Sequence, residues 1–239
     1  MSHTIVLVHG AFAESASWDR VIDPLVADGH HVVAAANPLR GLAADAASVS
    51  DLVRTIEGPV VLVAHSYGGA VISNVDSDAG EIAGLVYVNG FAPDSGENCF
   101  GLAAMFPGSM LGEATVRPVS RSDGTTDLYI AQDSFHDVFC QDVPAPQAAV
   151  MATTQRPATQ EALVEPSGDH PLWKDVPSWF LIGEEDRIIP ADLQRHMAHR
   201  ARSQRTVAIE GASHAAAVSY PDAAARLILE AAAPLRAAA

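Results

Sequence analysis

Apolar residues in this chain gather in short unbroken runs, separated by stretches in which they recur with helical period. Thr4–Val8, His31–Ala36, Val60–Ala64, Ile82–Asn89, Pro177–Ile182 and Thr206–Ile209 read as strands. Runs that do not alternate with polar residues mark strands covered on both faces. Between the first two, Trp18, Val21, Ile22, Leu25 and Val26 form an apolar helical face, and Gly29 is placed to end that helix. Asp45 to Glu57 turns Val49, Leu52, Val53 and Ile56 to one side and stops at Gly58-Pro59. Later helices are expected around Ala191–Arg200 and Pro221–Ala233, with Ala237–Ala239 fraying. Strand and helix in alternation predict an α/β protein, a mostly parallel sheet of about six strands with helices on both faces.

From about Asp94 to His170 the alternation fails. Glycines, prolines and acidic residues are scattered among short apolar patches such as Leu128-Tyr129-Ile130 and Phe135. So long a structureless loop is improbable in a compact protein. The expected organisation is a core made of 1–93 and 171–239, with 94–170 as an insert.

Chemistry gathers where predicted strands end. The run Val60–Ala64 passes through His65 to Ser66, crosses Tyr67, Gly68 and Gly69, and re-enters an apolar stretch that can be helical. A serine on a sharp strand-to-helix turn is lifted out of the sheet beside the free N–H groups of the new helix. The turn is expected to need small residues two before and two after the serine. Gly68 meets that demand, and Ala64 departs from the usual glycine by one methyl. Beyond the strand at 177–182 come Gly183-Glu184-Glu185-Asp186, and beyond 206–209 comes Ser213-His214. The order serine, acid, histidine is that of the α/β-hydrolases and differs from the chymotrypsin and subtilisin orders. In parallel sheets the crevice past the carboxyl ends of the strands is where ligands bind, so the three can converge there.

A serine hydroxyl needs an adjacent base to act as nucleophile. His214 is assigned that role, and Asp186 the holding of its tautomer. Glu184, Glu185 and Asp94 compete for the acid position. His9 and His65 are expected to brace the loops on which they sit. His196 and His199, one helical turn apart, lack a third ligand, and no metal site is assigned.

With Thr4–Val8 running into His9-Gly10-Ala11-Phe12, the chain resembles the α/β-hydrolase superfamily: a His-Gly oxyanion loop, a His-Ser-Tyr-Gly-Gly elbow, a Gly-x-x-Asp-x-x-x-Pro acid loop and a late Ser-His. It is most similar to small bacterial hydrolases related to plant methyl-ester esterases and hydroxynitrile lyases. The resemblance implies an α/β-hydrolase fold in which 94–170 is a cap over the active site. It also implies Ser66, Asp186 and His214 as catalytic residues, with the backbone N–H groups of Ala11 and Tyr67 forming the oxyanion hole. Phe12 N–H is the fallback donor, and Phe12, Tyr129, Phe135 and His136 are candidate substrate contacts.

Composition narrows the partners. The 239 residues are 49% hydrophobic and 18% charged, as in a globular protein with a sizeable core. A formal charge of −15 opposes nucleic acid and anionic membrane as partners, and a small-molecule substrate is expected. A homodimer is compatible with all of this. No apolar run approaches the roughly 18 residues of a membrane span, and no signal peptide is visible. Cys99 and Cys140 make no metal or disulfide framework and read as reduced thiols. A cytoplasmic and bacterial origin is therefore expected. No glycine-rich dinucleotide or phosphate loop occurs, so no cofactor is implied.

The expected activity is hydrolysis of a carboxylic ester, lactone or thioester through an acyl-enzyme on Ser66. A C–C bond hydrolase, a cofactor-free perhydrolase or a lyase on the same residues is the alternative, and a ligand-binding protein that keeps the fold is a further one. The lyase is disfavoured, because related lyases have threonine where Gly10 stands and lysine where Ala215 stands.

Overall fold

The computed structural model describes residues 3–233; Ala237–Ala239, expected to fray, lie outside the described residues. The first half of the chain runs β1 (Thr4–Val8), α1 (Asp19–Ala27), β2 (His31–Ala35), α2 (Leu42–Val53), β3 (Pro59–His65), α3 (Tyr67–Ser73) and β4 (Glu81–Val88). The insert follows with α4 (Cys99–Met105), β5 (Val116–Ser120), β6 (Thr126–Ile130), α5 (Gln132–Phe139), α6 (Ala145–Thr154), β7 (Ala158–Thr159) and α7 (Gln160–Val164). The chain then returns through β8 (Ser178–Gly183), α8 (Ala191–Arg200), β9 (Arg205–Ile209), α9 (Ala216–Ser219) and α10 (Pro221–Ala232).

Six parallel strands form one sheet in the order β2-β1-β3-β4-β8-β9. The unbroken apolar runs are explained by burial on both faces. Val6, Val8, Leu62, Ala64, Leu85, Tyr87 and Phe180 face α2, α3 and α8. Their neighbours Ile5, Leu7, Val61, Val63, Val86, Val88, Trp179 and Leu181 face α1 and α10. Register makes the strand ends level, with Val8 opposite Ala64, His65 opposite Val88 and Gly183 opposite Ile209. The loops carrying Ser66, Asp186 and His214 thus leave the same edge of the sheet.

Residues 94–170 are structured throughout their middle: a small antiparallel sheet, β5-β6-β7, with four short helices. Leu128, Ile130, Phe135, Val138 and Phe139 belong to the same apolar core as the α2/α3 face of the main sheet. The insert therefore shares a core with the sheet and has no separate one.

Two local expectations are corrected. The second helix lies three to four residues earlier than the sequence pattern placed it, at Leu42–Val53. Trp18, just before α1, and Val21 and Leu25 on it are fully buried, but Val26 is 53% exposed because the buried stripe follows Val21 and Leu25 and leaves Val26 a residue further round. The difference is measurable. Leu25→Ala should cost about 2–5 kcal/mol in urea denaturation, through lost apolar contact and the cavity left behind. Val26→Ala should stay within roughly 0.5 kcal/mol of the parent, as surface changes do. Equal losses at the two positions would overturn this assignment of the buried face.

Candidate active site

Ser66 sits between β3 and α3 with φ 55° and ψ −126°, a left-handed conformation that only firm surroundings maintain for a residue with a Cβ. Its N–H donates to the Asn89 carbonyl at 3.2 Å, and its own carbonyl accepts from Gly69 N–H at 2.9 Å and Phe91 N–H at 3.1 Å. The glycine requirement is not the one expected from the sequence. A Cβ on Gly68 would lie 2.6 Å from the Val8 carbonyl oxygen and 3.0 Å from that of His9, at the end of β1. Ala64 is not among its nearest neighbours, so the methyl there is accommodated. A Cβ on Gly10 would meet Ser66 Cβ at 2.5 Å. The turn and the oxyanion loop are in backbone contact, and glycine is what permits it.

Asp186 and His214 meet beside Asn89, the residue whose carbonyl accepts from Ser66 N–H. His214 Nδ1–H donates to Asp186 Oδ2 at 2.8 Å, and both side chains are fully buried. A buried carboxylate is tolerated only when its lone pairs are satisfied. Here Oδ1 accepts from Ile188 N–H at 2.8 Å and Ile189 N–H at 2.9 Å, while Oδ2 also accepts from Asn89 Nδ2 at 2.8 Å and Gln194 Nε2 at 2.9 Å. With the proton on Nδ1, His214 Nε2 is left as an acceptor, and that buried atom has no partner among the described residues. Ser66 is 4% exposed. No hydrogen bond joins Ser66 Oγ to His214 Nε2 among the described residues, and such bonds commonly tighten only when substrate is bound.

The competing carboxylates are occupied elsewhere. Glu184 pairs with Arg195, Glu185 is exposed, and Asp94 pairs with Lys174.

The N–H groups of Ala11 and Tyr67 have no hydrogen-bond partner among the described residues. Tyr67 is the first residue of α3, where an N–H is unsatisfied by construction. Phe12 N–H, by contrast, donates to the Arg156 carbonyl at 2.9 Å and is not available. The Tyr67 ring runs inward, and its hydroxyl donates to the buried Asp45 carboxylate at 2.7 Å. Burial pushes the Asp45 carboxyl up, and burial followed by the Asp45 charge pushes the Tyr67 phenol up. The pair fastens the elbow helix to α2.

The two buried histidines divide their tasks differently from expectation. His9 Nδ1–H donates to the Gly10 carbonyl at 3.0 Å and stiffens the oxyanion loop. His65 does not brace the elbow; its Nε2–H donates to the His214 carbonyl at 2.8 Å, and the two rings lie 4.6 Å apart. Burial, reinforced by the adjacent His214 ring, holds His65 well below the ordinary histidine value, and burial lowers His9 as well.

The remaining substrate-contact candidates separate. Phe12 lines a cavity of about 240 Å³ beside the oxyanion loop, together with Ala13, Phe139, Met151 and Gln155. Phe135 is fully buried and stacks on Phe139 at 4.9 Å. Tyr129 is a correction: with period two along β6 it points opposite to Leu128 and Ile130, into a shallow hollow with Arg117 and Thr153. His136 is likewise engaged elsewhere, its Nε2–H donating to the Val143 carbonyl at 2.8 Å. The sequence reading missed Asn89, Gln194 and Phe139. The Phe139 and His214 rings pack edge to face, with centroids 4.9 Å apart and planes at 81°. Only the position of Asn89, just past a strand that ends level with β3, could have drawn attention to it.

The buried histidines make stability depend on pH. Folded, they stay neutral; unfolded, they titrate near about 6.5. As pH falls below that value, the unfolded chain takes up protons that the folded chain refuses, so stability drops between about pH 6.5 and 5. Asp45, whose carboxyl burial raises, acts in the opposite sense, gaining stability as pH falls from that raised value toward the ordinary carboxylate value near about 4. The urea midpoint should be lower at pH 5 than at pH 7. The drop should shrink in His65→Gln, which keeps an N–H for the His214 carbonyl. An undiminished drop would exclude His65 as its source.

Comparison with known proteins agrees with this fold. The sequence is 27% identical over 236 residues to a pyrethroid hydrolase of Sphingobium wenxiniae, covering 91% of this chain and 83% of that one. It is 25% identical over 233 residues to methylesterase 2 of Arabidopsis thaliana, covering 87% and 88% of the two chains. The fold matches the crystal structure of polyneuridine aldehyde esterase with a TM-score of 0.79 at 17% identity, covering 96% of this chain and 99% of that one. A family model matches residues 5–227, and by that match the chain is a member of the alpha/beta hydrolase family.

Proposed function

We propose that this protein hydrolyses a small-molecule carboxylic ester through an acyl-enzyme on Ser66. The observation that carries the reading is the buried Asp186–His214 pair, whose Nε2 is left open, in a fold where Ala11 and Tyr67 hold unengaged N–H groups at the loops flanking Ser66. Ser66 Oγ attacks the ester carbonyl while its proton passes to His214 Nε2. The resulting oxyanion accepts from the two N–H groups, which need no reorganisation because backbone holds them. Collapse breaks the C–O bond, and the proton on His214 leaves with the alcohol. Water then repeats the sequence, releasing the acid and restoring Ser66. Asp186 keeps its charge throughout, stabilising the imidazolium and fixing its tautomer.

Residues 94–170 act in this reading as the cap. The cavity beside Phe12 and Phe139 takes part of the substrate. A larger apolar cavity of about 670 Å³ within the insert, walled by Phe100, Phe106, Leu111, Val116 and Leu128, offers room for an apolar substituent. The relatives named as a pyrethroid hydrolase and methylesterases support an ester as the class of substrate. No helix among the described residues is long and apolar enough to cross a membrane. A cytoplasmic setting fits two buried thiols: burial raises both, that of Cys140 to about 12, so neither is primed for oxidation.

Ser66→Ala should leave the melting temperature close to that of the parent and reduce hydrolysis of p-nitrophenyl esters by on the order of 10⁶ in kcat. Mass spectrometry after treatment with a fluorophosphonate should find the adduct on Ser66. An adduct elsewhere, or an active alanine variant, sinks the assignment.

A further inference from the structure

The insert reaches the Asp186–His214 pair directly, through one short segment at the end of α5. Asp137 forms an ion pair with Arg187, next to Asp186. Gln141 Nε2 donates to the Glu185 carbonyl at 2.7 Å, on the other side of Asp186. Phe139 packs edge to face with the His214 ring. Asp142 Oδ2 accepts from the N–H of Ser213 at 3.0 Å, one residue before His214.

The contact at Ser213 bears most on chemistry. Ser213 is fully buried; its carbonyl accepts from Asn89 Nδ2 at 3.3 Å and its hydroxyl from Ala215 N–H at 3.0 Å. Its N–H is held by Asp142. On the far side, the His214 carbonyl is held by His65 Nε2–H. The two anchors bracket the dipeptide Ser213–His214 and fix the backbone from which the imidazole projects, one from the core and one from the insert. Stability alone does not account for Asp142. Its other oxygen, Oδ1, is buried without a partner among the described residues, a destabilising condition for a carboxylate. A polar group kept in such a state calls for a role beyond packing.

We propose that Asp142 is a positioning residue for His214: by holding Ser213 N–H from the insert, it sets the imidazole against Ser66, so that the insert shapes the chemical step as well as the choice of substrate. This rests on the reading of Ser66 and His214 as nucleophile and base. The consequence is a loss in kcat even for an acetate ester, whose acyl group is the smallest.

p-Nitrophenyl acetate is the test substrate. Asp142→Ala should lower kcat by about 10- to 100-fold, the scale of a small misplacement in a reacting pair, with KM within about twofold. Asp142→Asn keeps an oxygen for the Ser213 N–H and should stay within about threefold of the parent. The rate at which a fluorophosphonate labels Ser66 should fall in the alanine variant in parallel with kcat. An unchanged kcat, a change in KM alone, or an asparagine variant as impaired as alanine would each overturn the proposal. Should melting curves show that Asp142→Ala does not fold, Asp142→Asn decides: folded and active supports the acceptor role, folded and inactive refutes it. If the parent enzyme hydrolyses the acetate and labels on Ser66 while Asp142→Ala labels equally fast, the positioning role alone fails. If the parent neither labels nor hydrolyses any ester, the reading of the site fails and takes this proposal with it.

Discussion

At the carboxyl ends of β1, β3 and β4 three backbones approach one another more closely than side chains would allow, and the candidate site depends on that approach. Gly10 lies against Ser66, and Gly68 against the last carbonyls of β1. A Cβ at either position would push the His9–Phe12 loop and the Ser66 turn apart. Ser66 holds a backbone conformation worth on the order of 1–3 kcal/mol of strain, which its hydrogen bonds to Asn89, Gly69 and Phe91 offset. The rigid parallel sheet beneath keeps these segments from relaxing apart.

The second constraint is electrostatic. Asp186 carries its charge in a fully buried position, and removing charge from water costs several kcal/mol unless hydrogen bonds replace the lost hydration. Its donors come from the acid loop itself, from β4 through Asn89, from α8 through Gln194 and from His214. Four separate stretches of chain therefore have to be in place before the carboxylate is satisfied, which ties the position of His214 to the completed fold. His65 adds to this without charge: held neutral by burial, it acts as a fixed donor to the His214 carbonyl.

The insert belongs to the same physical unit. Its apolar residues extend the core on one face of the sheet, and its polar residues reach the acid and histidine loops. A further latch joins it to the oxyanion side: the buried Asp127 carboxylate accepts from Arg40 at 2.6 Å and from Arg121 at 2.9 Å, while Arg40 N–H donates to Asp45, the partner of Tyr67. The insert is thus mechanically continuous with the segments that carry Tyr67 and His214.

The strands, their parallel arrangement and the residues that end them were legible in the sequence, because each depends on a few neighbours along the chain. An unbroken apolar run needs burial on both faces, and a serine between a strand and a helix needs a sharp turn. Gly10 and Gly68 announced close approaches, although the residues they approach are supplied by the fold. The β5–β6 hairpin had a signal that went unread, Asp123-Gly124 between two strand-like runs, because prolines and charges obscured the alternation around it. Tyr129 was misplaced for a related reason: a strand's two faces are told apart only once its register is known. Asn89 had only its position just past a strand to mark it, and Gln194, Phe139 and Asp142 had no signal to read. Each acts on a residue remote in sequence, Gln194 on Asp186 and the others across still longer separations. The sequence by itself determined which local shapes the chain can take and which residue types stand at the strand ends. Which distant side chains satisfy the buried carboxylate and hold the imidazole was decided only by close packing of the whole sheet, its helices and its insert.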